Sequence, residues 1–339
     1  MDQQKTLLGH LYHKAAKRLI PISVFFEVTF RCNLRCIHCY VVNSDKNELS
    51  LDEIKQILDQ ISDLGCLFLT LSGGEILVRD DFFEIAAYAR KRGLCLRLFT
   101  NGTLIDRDNI SRIKELMPIA VEVSLYGACS PVHDSITQVR GSFNRTLNAI
   151  TLLLESGIKT ILKCPVMKNN VSELDKLIRL ANKLGAAFKF DATIYPKSNG
   201  DKTPLAYRIY GKDLRRLIAL QGFKKLSDQE LRKTIMPCQA GHTSCRISPT
   251  GDVFPCVLLP LKLGSLREKS FHEIWNSSPR LNELRSLKKI ELPRCANCSL
   301  INYCSRCPGL SYLEEGDISL PSSYNCTVAK IRKEVFCDG

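Results

Sequence analysis

The amino-terminal region lacks a continuous apolar run: Lys5, His10, His13, Lys14, Lys17 and Arg18 are scattered through the first twenty residues. A signal peptide or a membrane span needs such a run, so neither is expected, and the protein is expected in the cytoplasm. The chain also lacks an internal repeat of fixed period and any low-complexity tract, which excludes a repeat array. A concentrated basic stretch is missing too. The formal net charge is +13, but the basic residues come as short, separated pairs such as Arg215-Arg216, Lys224-Lys225 and Lys288-Lys289. That pattern fits a solvated surface better than a nucleic-acid face, and an acidic peptide partner would also suit it. No nucleic-acid partner and no membrane partner are therefore expected.

What the chain has in abundance is cysteine, with 16 in 339 residues. In a small secreted domain that number would suggest disulfides, whereas in a long cytoplasmic chain it points to metal or cluster ligation. Thiolates bound to metal would also make the holoprotein less basic than the formal charge. Cys32, Cys36 and Cys39 form a CxxxCxxC array within Phe30-Arg-Cys-Asn-Leu-Arg-Cys-Ile-His-Cys-Tyr40. Three thiolates on one short loop can hold a four-iron cluster and leave one iron without a protein ligand. A structural zinc site would fill four positions, usually with two CxxC pairs on separate turns. No second pair is adjacent, and His38, lying between two of the cysteines, reaches the same ion poorly.

From about residue 23 to 193, short β-branched or aromatic runs alternate with longer stretches of helical period, the signature of βα units and a parallel sheet. Strands are expected at residues 23–28, 67–71, 95–100, 121–125, 160–166 and 187–193, with helices at 51–62, 82–91, 108–116, 143–155 and 171–184. Six strands are too few to close an eight-stranded barrel. Ser72-Gly73-Gly74-Glu75 follows the second strand, Thr100-Asn101-Gly102 follows the third, Ser124 lies in the fourth and Asp191 in the sixth. Ligands in parallel α/β architectures bind at the carboxyl ends of strands, so these residues should share a face with the cysteine loop after the first. Four segments are expected: an extension over 1–22, the partial barrel over 23–200, a connector with a charged bridging helix over 201–236, and a cysteine-rich domain over 237–339. In that last part Gly251-Asp252 suits a hairpin between Cys245-Arg-Ile-Ser and Val253-Phe-Pro-Cys256.

Cys238, Cys245, Cys256, Cys295, Cys298, Cys304, Cys307 and Cys326 stand downstream. Eight thiolates could complete two four-iron clusters with no open iron. Alternatively, the CxxC pairs Cys295/Cys298 and Cys304/Cys307 could form one zinc ribbon. Of the remaining cysteines, Cys95 and Cys164 lie in predicted strands, where cysteine usually serves as a small buried hydrophobe.

CxxxCxxC after a first strand, Gly-Gly-Glu after a second and a cysteine-rich tail together resemble the radical S-adenosylmethionine (radical SAM) superfamily. The tail resembles its SPASM subgroup: Cys238, Gly251-x4-Cys256, CxxCx5C at Cys295, Cys298 and Cys304, then Cys307 and a final Cys326. The resemblance covers nearly the whole chain and implies a partial (β/α)6 TIM-like barrel with a small C-terminal SPASM domain. It implies that Cys32, Cys36 and Cys39 ligate the catalytic cluster and that S-adenosylmethionine occupies its fourth iron. His38 takes the usual aromatic position near adenine, and Gly73, Gly74 and Glu75 match the segment receiving the methionine amino group. Ile76 stands where the family commonly has proline. Ser124 would contact ribose and Arg140 the methionine carboxylate. Auxiliary cluster I would take Cys238, Cys245, Cys256 and Cys307, although Cys245 is not fixed by the core pattern, so that cluster could instead keep an open iron. Auxiliary cluster II would take Cys295, Cys298, Cys304 and Cys326.

The implied reaction reduces the first cluster, cleaves S-adenosylmethionine to a 5′-deoxyadenosyl radical and abstracts hydrogen from substrate, with the auxiliary clusters in electron transfer. An external electron donor of flavodoxin or ferredoxin type is implied. Asp191, at a strand end, is the expected base if one is needed. Relatives of this kind mostly act on peptides, which makes peptide maturation or peptide-derived cofactor synthesis the expected function. Tetrapyrrole-pathway chemistry and sulfatase maturation are alternatives. The roughly twenty residues before the first strand are too few for a winged-helix recognition domain, so a separate small protein is expected to recognise any leader. A non-catalytic iron–sulfur carrier or zinc protein is the alternative of another class, and it predicts no S-adenosylmethionine cleavage.

Overall fold

The computed structural model describes residues 6–42, 47–223, 225, 238–287, 292 and 294–337. Six strands follow one another as the alternation predicts: β1 (Ser23–Thr29), β2 (Phe68–Gly73), β3 (Cys95–Thr100), β4 (Ala120–Ser124), β5 (Thr160–Pro165) and β6 (Ala187–Asp191). Each pairs in parallel with the next. The crossovers contain the helices Leu51–Asp63, Phe82–Lys91, Ile110–Glu115, Ser142–Glu155 and Leu174–Leu184. Ser50 and Glu53 form a reciprocal capping box that fixes the start of the first of these, a contribution of about 1 kcal/mol.

One face of each strand is apolar and meets the helices. Val24, Phe26, Leu69, Leu71, Leu96 and Leu98 are at most 1% exposed and share a core with Ile54, Leu58, Ile61 and Ile85. Burying each such side chain contributes about 1.5–3 kcal/mol. The other face carries the alternate residues Arg97, Phe99, Glu122, Lys163 and Lys189, which line a cavity of about 630 Å³. Helices outside and a concave polar face inside make this a partial barrel.

β7 (Ser244–Ile247), β8 (Asp252–Phe254) and β9 (Gly264–Ser265) extend the same sheet, giving the order β6-β5-β4-β3-β2-β1-β7-β8-β9. The hairpin expected around Gly251 forms between β7 and β8, with Gly251 in the left-handed region at φ 86°. β7 also pairs in parallel with β1, Ser23 opposite Ser244 and Phe26 opposite Ile247. That pairing satisfies the free edge of β1, and it carries the sheet across the boundary drawn at residue 237.

Local chemistry produces further helices that the sequence reading lacks, two of them within or before the barrel. Leu7–Lys17 is capped by the Thr6 hydroxyl, and its Tyr12 ring stacks on Phe68 at 6.2 Å, at the amino end of β2. Ser130–Thr137 begins with proline in its first turn, and Asp134 accepts from the Gly141 and Phe143 amides and the Ser142 hydroxyl, fastening it to the next helix. The helix expected at 171–184 opens as a 3₁₀ turn, Val171–Glu173, and ends at Gly185, φ 72°. The charged helix of the connector is Gly211–Gln221, and the remainder of that expected helix, apart from Gly222, Phe223 and Lys225, lies outside the described residues. Among the described residues no helix is long and apolar enough to cross a membrane.

Candidate active site

The CxxxCxxC loop leaves the carboxyl end of β1 and is held from three sides. Glu48 accepts from the Phe30 amide at 2.6 Å and the Thr29 hydroxyl at 2.8 Å. Asn101, after β3, donates to Asn33 at 2.9 Å and approaches the Cys32 sulfur at 3.9 Å. The last carbonyls of helix Ser130–Thr137 accept from the loop, Thr137 from the Arg35 amide and Ile136 from the Ile37 amide, each at 3.0 Å. Burial, reinforced by the Cys39 and Cys32 thiols, pushes the Cys36 thiol far up, and burial moves Cys39 up to about 11. Thiols packed this way stay protonated unless a metal centre displaces the protons. His38 meets Tyr126 edge-on at 4.7 Å, its Nδ1 has no hydrogen-bond partner, and desolvation lowers its pKa to about 4.

Gly73 and Gly74 press directly against this loop. A Cβ on Gly73 would lie 2.2 Å from the Thr29 carbonyl oxygen, and one on Gly74 would lie 2.2 Å from that of Arg31. Backbone bonds seal the contact: the Gly74 amide donates to Thr29 and the Glu75 amide to Arg31, both at 2.9 Å. Glu75 is fully buried and accepts from the Thr100 hydroxyl and the Asn101 amide at 2.7 Å and from the Leu77 amide at 3.2 Å. Its carboxylate thus braces the end of β3, and desolvation raises its pKa against those three donors.

The other expected residues spread along the same ends. Ser124 closes β4 opposite Lys163. Arg140 is exposed in the turn after helix Ser130–Thr137, three residues beyond the carbonyl that holds Arg35. Asp191 lines the 630 Å³ cavity. Although the residue as a whole is solvent-accessible, desolvation of its carboxylate raises the pKa, partly offset by the Thr193 amide at 2.7 Å.

The sequence reading missed the charges inside the barrel. Glu122 is 2% exposed, with Lys189 Nζ at 3.0 Å and Arg97 Nε and Lys163 Nζ at 3.5 Å. Lys163 also sits 3.8 Å above the Phe99 ring, and desolvation lowers its pKa against the pull of Glu122. Three cations and two carboxylates line the cavity, leaving one positive charge unbalanced. Charges at alternating positions in four consecutive predicted strands were the available signal, because strands covered on both faces read as near-continuous hydrophobic runs.

The downstream cysteines gather into two cavities. Cys295, Cys298, Cys304 and Cys326 line one. Cys238, Cys256 and Cys307 line the other. Cys304 and Cys307 therefore face different cavities, which removes the four-cysteine zinc ribbon. Burial pushes the Cys256 thiol up to about 12, with Cys238 and Cys307 adding to the rise. Cys245, which the resemblance adds to that second set, lies on β7 at 2% exposure, opposite Val24 and in the apolar core. Strand alternation, which places Cys245 and Ile247 on one face, decides its position.

A profile of the radical SAM superfamily matches residues 26–181, and one described as an iron-sulfur cluster-binding domain, SPASM, matches residues 238–308. The AdoMet-dependent heme synthase of Methanosarcina barkeri is 30% identical over 331 residues, covering 88% of this chain and 94% of its own. The chain belongs to the radical SAM superfamily. It is an enzyme whose chemistry uses S-adenosylmethionine and a four-iron cluster, with an iron–sulfur domain at its carboxyl end. The antilisterial bacteriocin subtilosin biosynthesis protein AlbA of Bacillus subtilis is 30% identical over 312 residues, 85% of this chain and 67% of its own. In fold the chain is similar to Streptococcus suis SuiB bound to precursor peptide SuiA, with a TM-score of 0.72 at 18% identity, covering 94% of this chain and 80% of that one. The residues of the radical SAM site fit a cluster and its ligand: three packed thiols on one loop, an unpartnered imidazole nitrogen beside them and a glycine pair in backbone contact with the loop.

Proposed function

We propose that this radical SAM enzyme matures a peptide, with Cys32, Cys36 and Cys39 holding the catalytic cluster and the barrel cavity receiving the segment to be modified. The observation that carries this reading is the 630 Å³ cavity on the inner face of β3–β6, which includes Asp191 at the end of β6 and bears an unbalanced positive charge. The subtilosin and SuiA names of the two peptide-related proteins support it. When bound, the cluster supplies the electron that cleaves S-adenosylmethionine to the radical that takes hydrogen from substrate. Gly73, Gly74, Glu75, Ser124, Arg140 and His38 are the proposed cofactor contacts, and the chain's task is to orient cofactor and substrate and exclude water. Anaerobic reconstitution with iron counting and an assay for 5′-deoxyadenosine tests the reading, and a short peptide encoded beside this gene is the substrate to try. Stoichiometric zinc with no nucleoside product would instead support a carrier or binding protein.

The cationic side of the cavity would recognise a carboxylate on the substrate. Losing a hydrogen bond to a charged group costs about 1.5–3 kcal/mol, so Lys189→Met should raise the substrate KM roughly 10-fold or more. An unchanged KM removes Lys189 from recognition. Asp191 is the proposed base. Because desolvation raises its pKa, the active deprotonated form is lost at a less acidic pH than for an ordinary aspartate, and activity falls as pH drops through that value. Asp191→Asn with full product yield would end that assignment. The protein is proposed to work in the cytoplasm with a flavodoxin- or ferredoxin-type donor and a separate recognition protein. Full activity of this chain alone on a leaderless peptide would remove the need for the latter.

A second reading rests on the same cations and on the heme synthase likeness: a tetrapyrrole bearing propionate groups presents the same carboxylates. Incubation with a propionate-bearing porphyrin, followed by mass spectrometry for loss of carbon dioxide, separates it from the peptide reading.

A further inference from the structure

The donor set around the second cysteine cavity differs from the one that the cysteine pattern implies. Cys238, Cys256 and Cys307 line the cavity together with His242, and Cys245 is not among its lining residues. Cys307 is brought there by close backbone packing: a Cβ on Gly309 would meet the Leu258 backbone at 2.9 Å, so the start of helix Pro308–Glu315 rests on the chain just beyond Cys256.

His242 sits in a tightly tied turn. The Ala240 amide donates to the Cys238 sulfur at 3.4 Å, the Thr243 and Ser244 amides donate to the Gln239 carbonyl, and Arg285 Nε donates to the Gly241 carbonyl at 2.7 Å. His242 Nδ1 lies 3.2 Å from the Ala240 carbonyl oxygen. A carbonyl oxygen only accepts, so Nδ1 is the donor, and in the neutral ring the lone pair is on Nε2. Histidines that bind metals are commonly held in this way, with the protonated nitrogen tied to a backbone carbonyl and the other free to ligate.

We propose that His242 Nε2 is the fourth protein ligand of the auxiliary cluster held by Cys238, Cys256 and Cys307, and that Cys245 is a core residue with no ligand role. The inference rests on the presence of an auxiliary cluster in this domain. A neutral imidazole in place of an anionic thiolate removes one negative charge from the site, and such replacement raises a cluster's reduction potential. The cluster at Cys238 is therefore the easier to reduce of the two, the other being ringed by Cys295, Cys298, Cys304 and Cys326.

The test uses the full chain carrying Cys32→Ala, Cys36→Ala and Cys39→Ala, which removes the catalytic cluster, reconstituted with iron and sulfide. Pulsed electron paramagnetic resonance of the reduced protein should show one strongly coupled nitrogen that changes on ¹⁵N-histidine labelling. His242→Ala should abolish that coupling, while the signal from the four-cysteine site persists and shows that the domain is folded. His242→Cys should keep the cluster and lower its reduction potential. Cys245→Ala should retain both the iron content and the coupling. A cluster without nitrogen coupling, or loss of about four irons in Cys245→Ala, overturns the assignment. Absence of any cluster from the triple variant overturns the auxiliary-cluster reading beneath it.

Discussion

Gly74→Ala should lower 5′-deoxyadenosine formation by about 100-fold or more, with loss of iron from the catalytic site. The added Cβ would lie 2.2 Å from the Arg31 carbonyl oxygen and 2.7 Å from that of Phe30. Both atoms are backbone, so no flexible side-chain end can swing aside. Arg31 immediately precedes Cys32, and the clash is relieved only by moving the loop that carries the three thiols or by breaking the bonds from Gly74 to Thr29 and from Glu75 to Arg31. A misplacement of about 1 Å at a reacting site can cost roughly 10²-fold in rate. Gly73→Ala adds strain at φ 138° to a Cβ contact of 2.2 Å with Thr29, and should be at least as damaging. Gly93 provides the control: it also has a positive φ, but a Cβ there meets nothing within 4 Å, so Gly93→Ala should cost some stability and leave cleavage unaffected. A Gly74→Ala enzyme that cleaves S-adenosylmethionine at the wild-type rate would show that close backbone approach does not set the loop.

The same contrast between local and distant chemistry explains what the sequence revealed. Helix Phe82–Lys91 and strand Cys95–Thr100 agree with expectation to the residue because each is bounded by its own turn residues and patterned by its own period. The Gly-Gly-Glu segment is legible as a motif, but the protein contacts of its carboxylate are not. Glu75 accepts from Thr100, Leu77 and the Asn101 amide, a β3 connection that depends on strand order. Asn101 is expected on the face of the cysteine loop, but its bond to Asn33, 68 residues away, and that of Glu48 to Phe30, 18 residues away, are not legible in the sequence. The resemblance implies a ligand role for Cys245, while its two-residue spacing from Ile247 places both on the core face of one strand. His242 offers no periodic signal, and only the folded turn places it among the residues lining the cavity.

Arg246→Ala should destabilise the protein by about 3–5 kcal/mol, a large part of the roughly 5–15 kcal/mol that holds a typical protein folded. Glu27, on β1, is 1% exposed, and Arg246, on β7, donates to its Oε2 through Nε at 2.8 Å and a terminal nitrogen at 2.6 Å. The other carboxylate oxygen accepts from the Tyr40 hydroxyl at 2.9 Å. Tyr40 follows Cys39, so this pair ties the cysteine loop to the edge where the C-terminal domain joins the barrel sheet. Removing the guanidinium leaves a buried carboxylate with one neutral donor, and the cost is dominated by that uncompensated charge rather than by the lost attraction. It follows that Glu27→Leu combined with Arg246→Met should recover most of the lost stability, since an apolar pair of similar volume removes both charges together. Denaturant titration of the two single variants and the double variant measures the coupling. The double variant should still lose 5′-deoxyadenosine formation, because Tyr40 no longer has its acceptor and the loop end beside Cys39 is released. Equal destabilisation by the single and double variants would assign the cost to packing against Phe254, whose ring lies 4.7 Å from the guanidinium, instead of to the buried charge.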